Sequence, residues 1–158
     1  MGNPVRTDPP RPSQESESLD TVEISFPSSS EYLSLVRAAT RWFAEKCEFS
    51  EKECGRIVLA VVEATTNIIR HAYGGDPHQR ITLRLKHFDD GLEIEFLDRG
   101  KSVDLDRLEK RKTAELTPGG LGVPMMKCCM DDFHYETRPG GGARLVLRKL
   151  KGQGGGGS

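Results

Sequence analysis

Six consecutive apolar residues, Ile57 to Val62, run directly into Glu63, and Asn67 and His71 follow at intervals of four. An apolar run of this density belongs to a helix buried on most sides. Four residues advance an α-helix by slightly more than one turn, so the three polar groups share one stripe that drifts by about 40° per step. Burying a carboxylate costs several kcal/mol unless it is paired or hydrogen-bonded, so Glu63 needs a partner or a cleft. Two arrangements meet that demand. In one the stripe is a cleft floor facing a ligand while the rest of the helix faces the core; in the other it is the solvent face of an amphipathic helix.

Local signals place the neighbouring elements. Ser50 and Glu53 have the spacing of a capping box, and the helix they open is expected to run to about Tyr73, where Gly74-Gly75-Asp76-Pro77 ends it. Upstream, TVEISF (21–26) alternates as a strand with Val22, Ile24 and Phe26 on one face. A first helix is expected from caps at Ser28 to Ser30 through about Lys46, with Leu33, Val36, Ala39 and Phe43 inward. Downstream, residues 81–88 and 91–98 alternate on either side of Asp89-Asp90-Gly91, a strong hairpin signal. A third amphipathic helix is expected over Leu121 to Met130, then a second hairpin with strands near 133–138 and 143–149. The fold expected is α+β, a two-layer sandwich of mostly antiparallel sheet with helices on one face.

A chain of 158 residues suits one domain, expected over 21–150. Residues 1–20 hold Pro4, Pro9, Pro10 and Pro12 with almost nothing apolar, and are expected to be a disordered arm. Residues 151–158, ending in GGGGS, read as a flexible tail of the kind an expression vector leaves. Lys plus Arg is 23 against 24 for Asp plus Glu, so no basic excess argues for direct nucleic-acid binding. The four cysteines form no CxxC pair and read as reduced thiols. No run approaches the roughly 20 apolar residues of a membrane span, and the N-terminus lacks a signal-peptide profile, so a cytoplasmic protein is expected. Half of the residues in 101–118 are charged, as expected of a lid that is mobile until phosphates order it.

The chemistry of the polar residues is specific in combination. Asn67 offers a neutral oxygen of the kind Mg²⁺ accepts, and Glu63, one turn earlier, can orient or deprotonate a nucleophile beside such a metal. Asp98 ends a strand in Leu97-Asp98-Arg99-Gly100, where a carboxylate can accept from an adenine amine and Gly100 lets a planar base approach the backbone. Gly120, Leu121 and Gly122 precede a helix and present backbone N–H groups to an anion. Each feature alone is common; their order after the Glu–Asn helix is not.

EATTNIIRHAY (63–73) resembles the N box of GHKL (Bergerat-fold) ATPases, in the form found in anti-sigma-factor serine-protein kinases of the RsbW type. LDRG (97–100) resembles the first glycine box, GGLGVPMMKCCMDD (119–132) the second, and GGARLVLRK (141–149) the closing glycine-then-strand element. The resemblance spans roughly residues 21–150. It implies Glu63 as general base, Asn67 as Mg²⁺ ligand, Asp98 on adenine with Gly100 beside it, and Gly120, Leu121 and Gly122 at the phosphates. Arg37 matches, loosely, an arginine that such kinases use to grip protein partners. ATP and Mg²⁺ are the implied cofactors. The implied partners are a sigma factor held inactive by a homodimer and a STAS-domain anti-anti-sigma protein phosphorylated on serine. Two other function classes fit the residues: a GHKL-fold module that sequesters a partner with little or no kinase activity, and a nucleotide-binding scaffold in another signalling pathway. Ser102 stands where a second glycine often follows, and Ala143 where Thr or Asn is frequent, which implies weaker nucleotide binding rather than its loss.

Overall fold

The computed structural model describes residues 18–101 and 122–152. The bulk of the N-terminal arm, the charged segment from Ser102 onward, Gly120, Leu121 and the GGGGS tail lie outside the described residues. Strands β1 (Asp20–Pro27), β2 (Arg80–Phe88), β3 (Gly91–Asp98), β4 (Asp132–Thr137) and β5 (Ala143–Leu150) form one sheet in the order β1-β2-β3-β5-β4, antiparallel throughout. Helices α1 (Leu33–Lys46), α2 (Glu51–Asn67) and α3 (Gly122–Cys129) pack side by side, α2 between the other two. This is the expected α+β architecture.

The alternation of the strands decides which face is covered. Ile81, Leu83 and Leu85 of β2, Ile94 and Phe96 of β3, and Leu145 and Leu147 of β5 join Val36, Phe43, Ile57, Val61, Ala64 and Met126 of the helices in one core. On the opposite face many of the intervening residues are charged, among them Glu23, Arg84, Glu93, Glu95, Arg144 and Arg148. Glu95 receives Arg84 at 2.8 Å and Arg144 at 2.6 Å; Arg84 also pairs with Glu23, and Arg144 with Glu136. The register of the strands thus builds one alternating chain of charge, Glu23–Arg84–Glu95–Arg144–Glu136, across the open face. It also explains why β3 is buried on both faces despite its alternating sequence: arginine stems cover the glutamates. Burial opposes the ionisation of Glu95, but the hydrogen bonds from Arg144 and Arg84 outweigh it and hold its carboxyl below the usual range.

The capping box forms as expected, with Ser50 Oγ accepting from the Glu53 N–H and Glu53 Oε2 accepting from the Ser50 N–H, both at 3.2 Å. In α1, Val36 and Phe43 are buried, while Leu33 and Ala39 are only half-buried and Thr40 and Ala44 complete the inner face. The cysteines are all unpaired; three are buried, and Cys128 is exposed. Burial raises the Cys47 thiol to about 11, so it stays protonated and packs as a small apolar group. No helix among the described residues is long and apolar enough to cross a membrane.

The sequence period fails at one place. The helix expected through Tyr73 is α-helical only to Asn67 and continues as a π-helical turn over Ile68–Ala72, closed by the Tyr73 N–H on the Ile68 carbonyl at 3.0 Å. The wider turn changes the phase of the stripe: Asn67 is buried, and His71 is exposed.

Candidate functional site

The antiparallel register brings the ends of β1, β2, β3 and β5 together: Pro27 pairs with Arg80 and Asp98 with Ala143. Over this end of the sheet lies the second half of α2. Between them a crevice is lined by Ala64, Asn67, Ile68, Asp98, Met126, Tyr135 and Leu145. Asn67 from α2 and Asp98 from β3, 31 residues apart in sequence, therefore share one largely apolar crevice, narrow in this structure with a free volume of about 20 Å³. Glu63 sits one helical turn back from Asn67, half-buried.

Two of the buried polar atoms without a partner lie on this part of α2. Glu63 Oε2 and Asn67 Nδ2 are both shielded from water, and neither has a hydrogen-bond partner among the described residues. Buried polar groups are nearly always satisfied, and leaving one unmade costs about 1–3 kcal/mol. An amide and a carboxylate one turn apart, each with unused capacity, suit a metal–phosphate group: the carboxylate and the amide oxygen can accept a cation or its waters, and the amide nitrogen can donate to an anionic oxygen.

Asp98 is buried and held from two sides. The Gly100 N–H donates to its Oδ1 at 2.9 Å, and the Ala143 N–H also donates to the carboxylate. Burial pushes its carboxyl above the ordinary range, against the lowering effect of those two bonds and of Arg138. Its remaining lone pairs can accept from a base amine entering the crevice. Ala143 thus serves through its backbone, which no substitution of the side chain removes.

Gly100 and Gly142 build the wall behind Asp98. A β-carbon on Gly100 would collide with the carbonyl of Ala72 at the end of the π-turn, lying 2.6 Å from its carbon. The close approach that Gly100 permits in this structure is therefore to the helix, and the neighbouring Lys101 N–H completes the junction on the Ala72 carbonyl at 2.8 Å. Gly142, with φ of 93°, abuts the backbone of Asp98 and Arg99. Tyr73 ties the same corner: its hydroxyl accepts the Arg99 N–H and donates to the Arg80 carbonyl, both at 2.7 Å. Sequence reasoning missed Gly142 and Tyr73, although the run Gly140-Gly141-Gly142 before a strand was a signal of positive φ.

Of the other residues singled out in the sequence, Gly122 opens α3, and Gly120 and Leu121 lie outside the described residues. Arg37 is exposed on α1, away from the crevice lining.

Comparison with known proteins places the chain in a family. A family profile described as a histidine kinase-like ATPase domain matches residues 26–149. The serine-protein kinase RsbW of Listeria innocua is 31% identical over 140 residues, covering 82% of this chain and 87% of its own. The serine-protein kinase RsbW of Bacillus subtilis is 29% identical over 129 residues, covering 77% and 81%. Among solved structures, the RsbU and RsbW domains of Rv1364c from Mycobacterium tuberculosis superpose with a TM-score of 0.62 at 17% identity. That match covers 83% of this chain and 32% of the longer one. A chain of the SiaB–SiaC complex from Pseudomonas aeruginosa superposes with a TM-score of 0.59 at 15% identity, covering 82% and 88%. With a family match over residues 26–149 and a relative 31% identical over most of both chains, this chain belongs to the histidine kinase-like (GHKL) ATPase domain family, among the relatives of the RsbW serine-protein kinases.

Proposed function

We propose that this protein is an anti-sigma factor and an ATP- and Mg²⁺-dependent serine-protein kinase that phosphorylates a STAS-domain anti-anti-sigma partner. The observation that carries the proposal is the pair of buried, unpartnered atoms Glu63 Oε2 and Asn67 Nδ2 on the helix that faces Asp98. In this reading Asp98 accepts from the adenine amine, and Gly120, Leu121 and Gly122 offer backbone N–H groups to the phosphates. Asn67 holds Mg²⁺ through its amide oxygen, and Glu63 takes the proton from the attacking serine hydroxyl. The metal, when bound, neutralises charge on the phosphates. The chain's own contribution is mainly positioning: the helix that carries both side chains is fixed by its capping box at one end and by the π-turn junction at the other.

The outer face of α1 supports partner binding. Leu35 and Trp42, seven residues apart and thus on one stripe, are 46% and 57% exposed, Lys46 lies over the Trp42 ring at 5.5 Å, and Arg37 and Arg41 are exposed further round the same helix. Exposed aromatic and arginine side chains together are the usual anchors of a protein interface. A homodimer in the cytoplasm is the expected working form.

The test is incubation of the protein with Mg-ATP and a purified STAS-domain protein, followed by intact-mass measurement. Gain of one phosphate on a serine of the partner supports the kinase. Partner capture with nucleotide bound and no phosphate gained assigns the chain instead to the sequestering modules.

A further inference from the structure

On the face of the sheet opposite the helices, and at the same end as the nucleotide crevice, lies a second cavity of about 470 Å³, within the size range of small-molecule sites. Its walls carry Arg80, Arg84, Arg99 and Arg138, with His78 and Glu23. Arg84 is neutralised by Glu23 and Glu95. The other three are not. Arg80 is held by neutral oxygens alone, Nε on Ser25 Oγ at 3.0 Å and Nη2 on the Ser25 carbonyl at 2.9 Å. Arg138 donates through Nη1 to the Asp98 carbonyl at 3.0 Å, again a neutral acceptor. Arg99 forms no ion pair among the described residues, while its backbone is pinned by Tyr73. Three guanidinium groups from three different loops and strand ends thus converge on one cleft; Asp98 also lines it and offsets part of the charge of Arg138, and none of the three forms an ion pair among the described residues.

Guanidinium groups fixed by hydrogen bonds to neutral oxygens keep free N–H donors and lose less entropy on binding an anion than mobile ones do. The chain as a whole carries a net charge of -1, so the basic character of this cleft is local and not a reflection of a basic protein. The cleft is open to solvent, where single charges are well screened. Its occupant therefore needs several negative charges close together. We propose that this cleft binds a small multiply charged phosphate compound, at a site separate from the nucleotide crevice and back to back with it across Asp98 and Arg99.

The probe is inorganic pyrophosphate, titrated calorimetrically into the full chain in metal-free, low-salt buffer. Wild type is expected to bind it with a sub-millimolar Kd that weakens steeply with added salt. The Arg80→Gln/Arg99→Gln double variant should bind at least tenfold more weakly, and the single Arg99→Gln variant should fall between the two. Asn67→Ala, altered only in the nucleotide crevice, should bind pyrophosphate as wild type does. An unchanged thermal unfolding midpoint in the double variant shows that the loss is not unfolding. Absence of binding at several millimolar, equal binding by the double variant, or loss of binding in Asn67→Ala would each overturn the proposal, the last because it puts pyrophosphate in the nucleotide crevice. None of these readings depends on whether the chain transfers phosphate.

Discussion

Gly142 packs so tightly behind Asp98 that no β-carbon fits between the two loops: one built there would lie 2.7 Å from the Arg99 Cα and closer still to the Asp98 carbonyl. Gly140 and Gly141, with φ of 86° and 108°, share the left-handed region but face open space. Gly142→Ala is therefore expected to cost at least about 2 kcal/mol and to displace Asp98, whereas Gly140→Ala pays only the conformational strain of about 1 kcal/mol. Urea unfolding of the two variants, with ADP affinity measured alongside, checks this. Equal losses in both would mean that backbone strain, and not crowding against Asp98, is what Gly142 relieves.

Asp98→Asn should abolish most nucleotide affinity, by about 100-fold or more, because an amide nitrogen can be presented where the adenine amine needs an acceptor. The Gly100 and Ala143 N–H groups compete for the single remaining oxygen. Calorimetry with Mg-ATP is the measurement, and affinity within threefold of wild type would remove Asp98 from the base-binding role.

Glu63→Gln keeps size and polarity but cannot take a proton, so phosphate transfer should slow by about 10²- to 10⁴-fold while nucleotide and partner binding persist. Asn67→Ala should weaken Mg-ATP binding and turnover together. Phosphate incorporation into the proposed STAS-domain partner, with a pull-down of the proposed sigma factor for each variant, separates the two roles. If Glu63→Gln transfers phosphate at the parental rate, Glu63 is not the base.

Glu95→Gln removes the centre of the charge chain on the open face and should destabilise the fold by about 2 kcal/mol at neutral pH, discounted for the partial exposure of both arginines. Because the folded-state carboxyl is held below the usual range, the stability it contributes is present above the ordinary carboxylate range and is lost as pH falls through the folded value. The gap between wild type and Glu95→Gln should therefore be constant from pH 6 to 8 and close below about pH 4. A gap that persists in acid would mean that packing, and not charge, is what Glu95 supplies.

Much of this architecture could be read from the chain. The hairpin at Asp90-Gly91, the capping box at Ser50 and the antiparallel sheet rest on local signals, and local signals are what a sequence displays. The pairing of Asn67 with Asp98 was legible as order along the chain, through the resemblance, but not as distance. What stayed hidden depends on contacts remote in sequence. The burial of Glu93 and Glu95 needs arginines from neighbouring strands, so β3 alternates in sequence and is buried on both faces. The role of Gly142 needs the backbone of residues some forty positions earlier. His71 leaves the stripe of Glu63 and Asn67 and is exposed, because a 3.6-residue period does not hold through a segment that widens after Asn67.

That widened turn makes the N-box helix unusually sensitive to length. A π-turn amounts to one residue inserted into an α-helix, so the reading frame between Asn67 and Gly100 is set by counting residues and not by their type. Removing any single residue from 68–72 would let the helix revert to its regular period, swing Ala72 away from Gly100 and Lys101, and unfasten the floor of the crevice from its far wall. Deletions across this segment should be rare among relatives, whereas substitutions should be tolerated at the exposed Arg70 and His71 and resisted at the buried Ile68, Ile69 and Ala72.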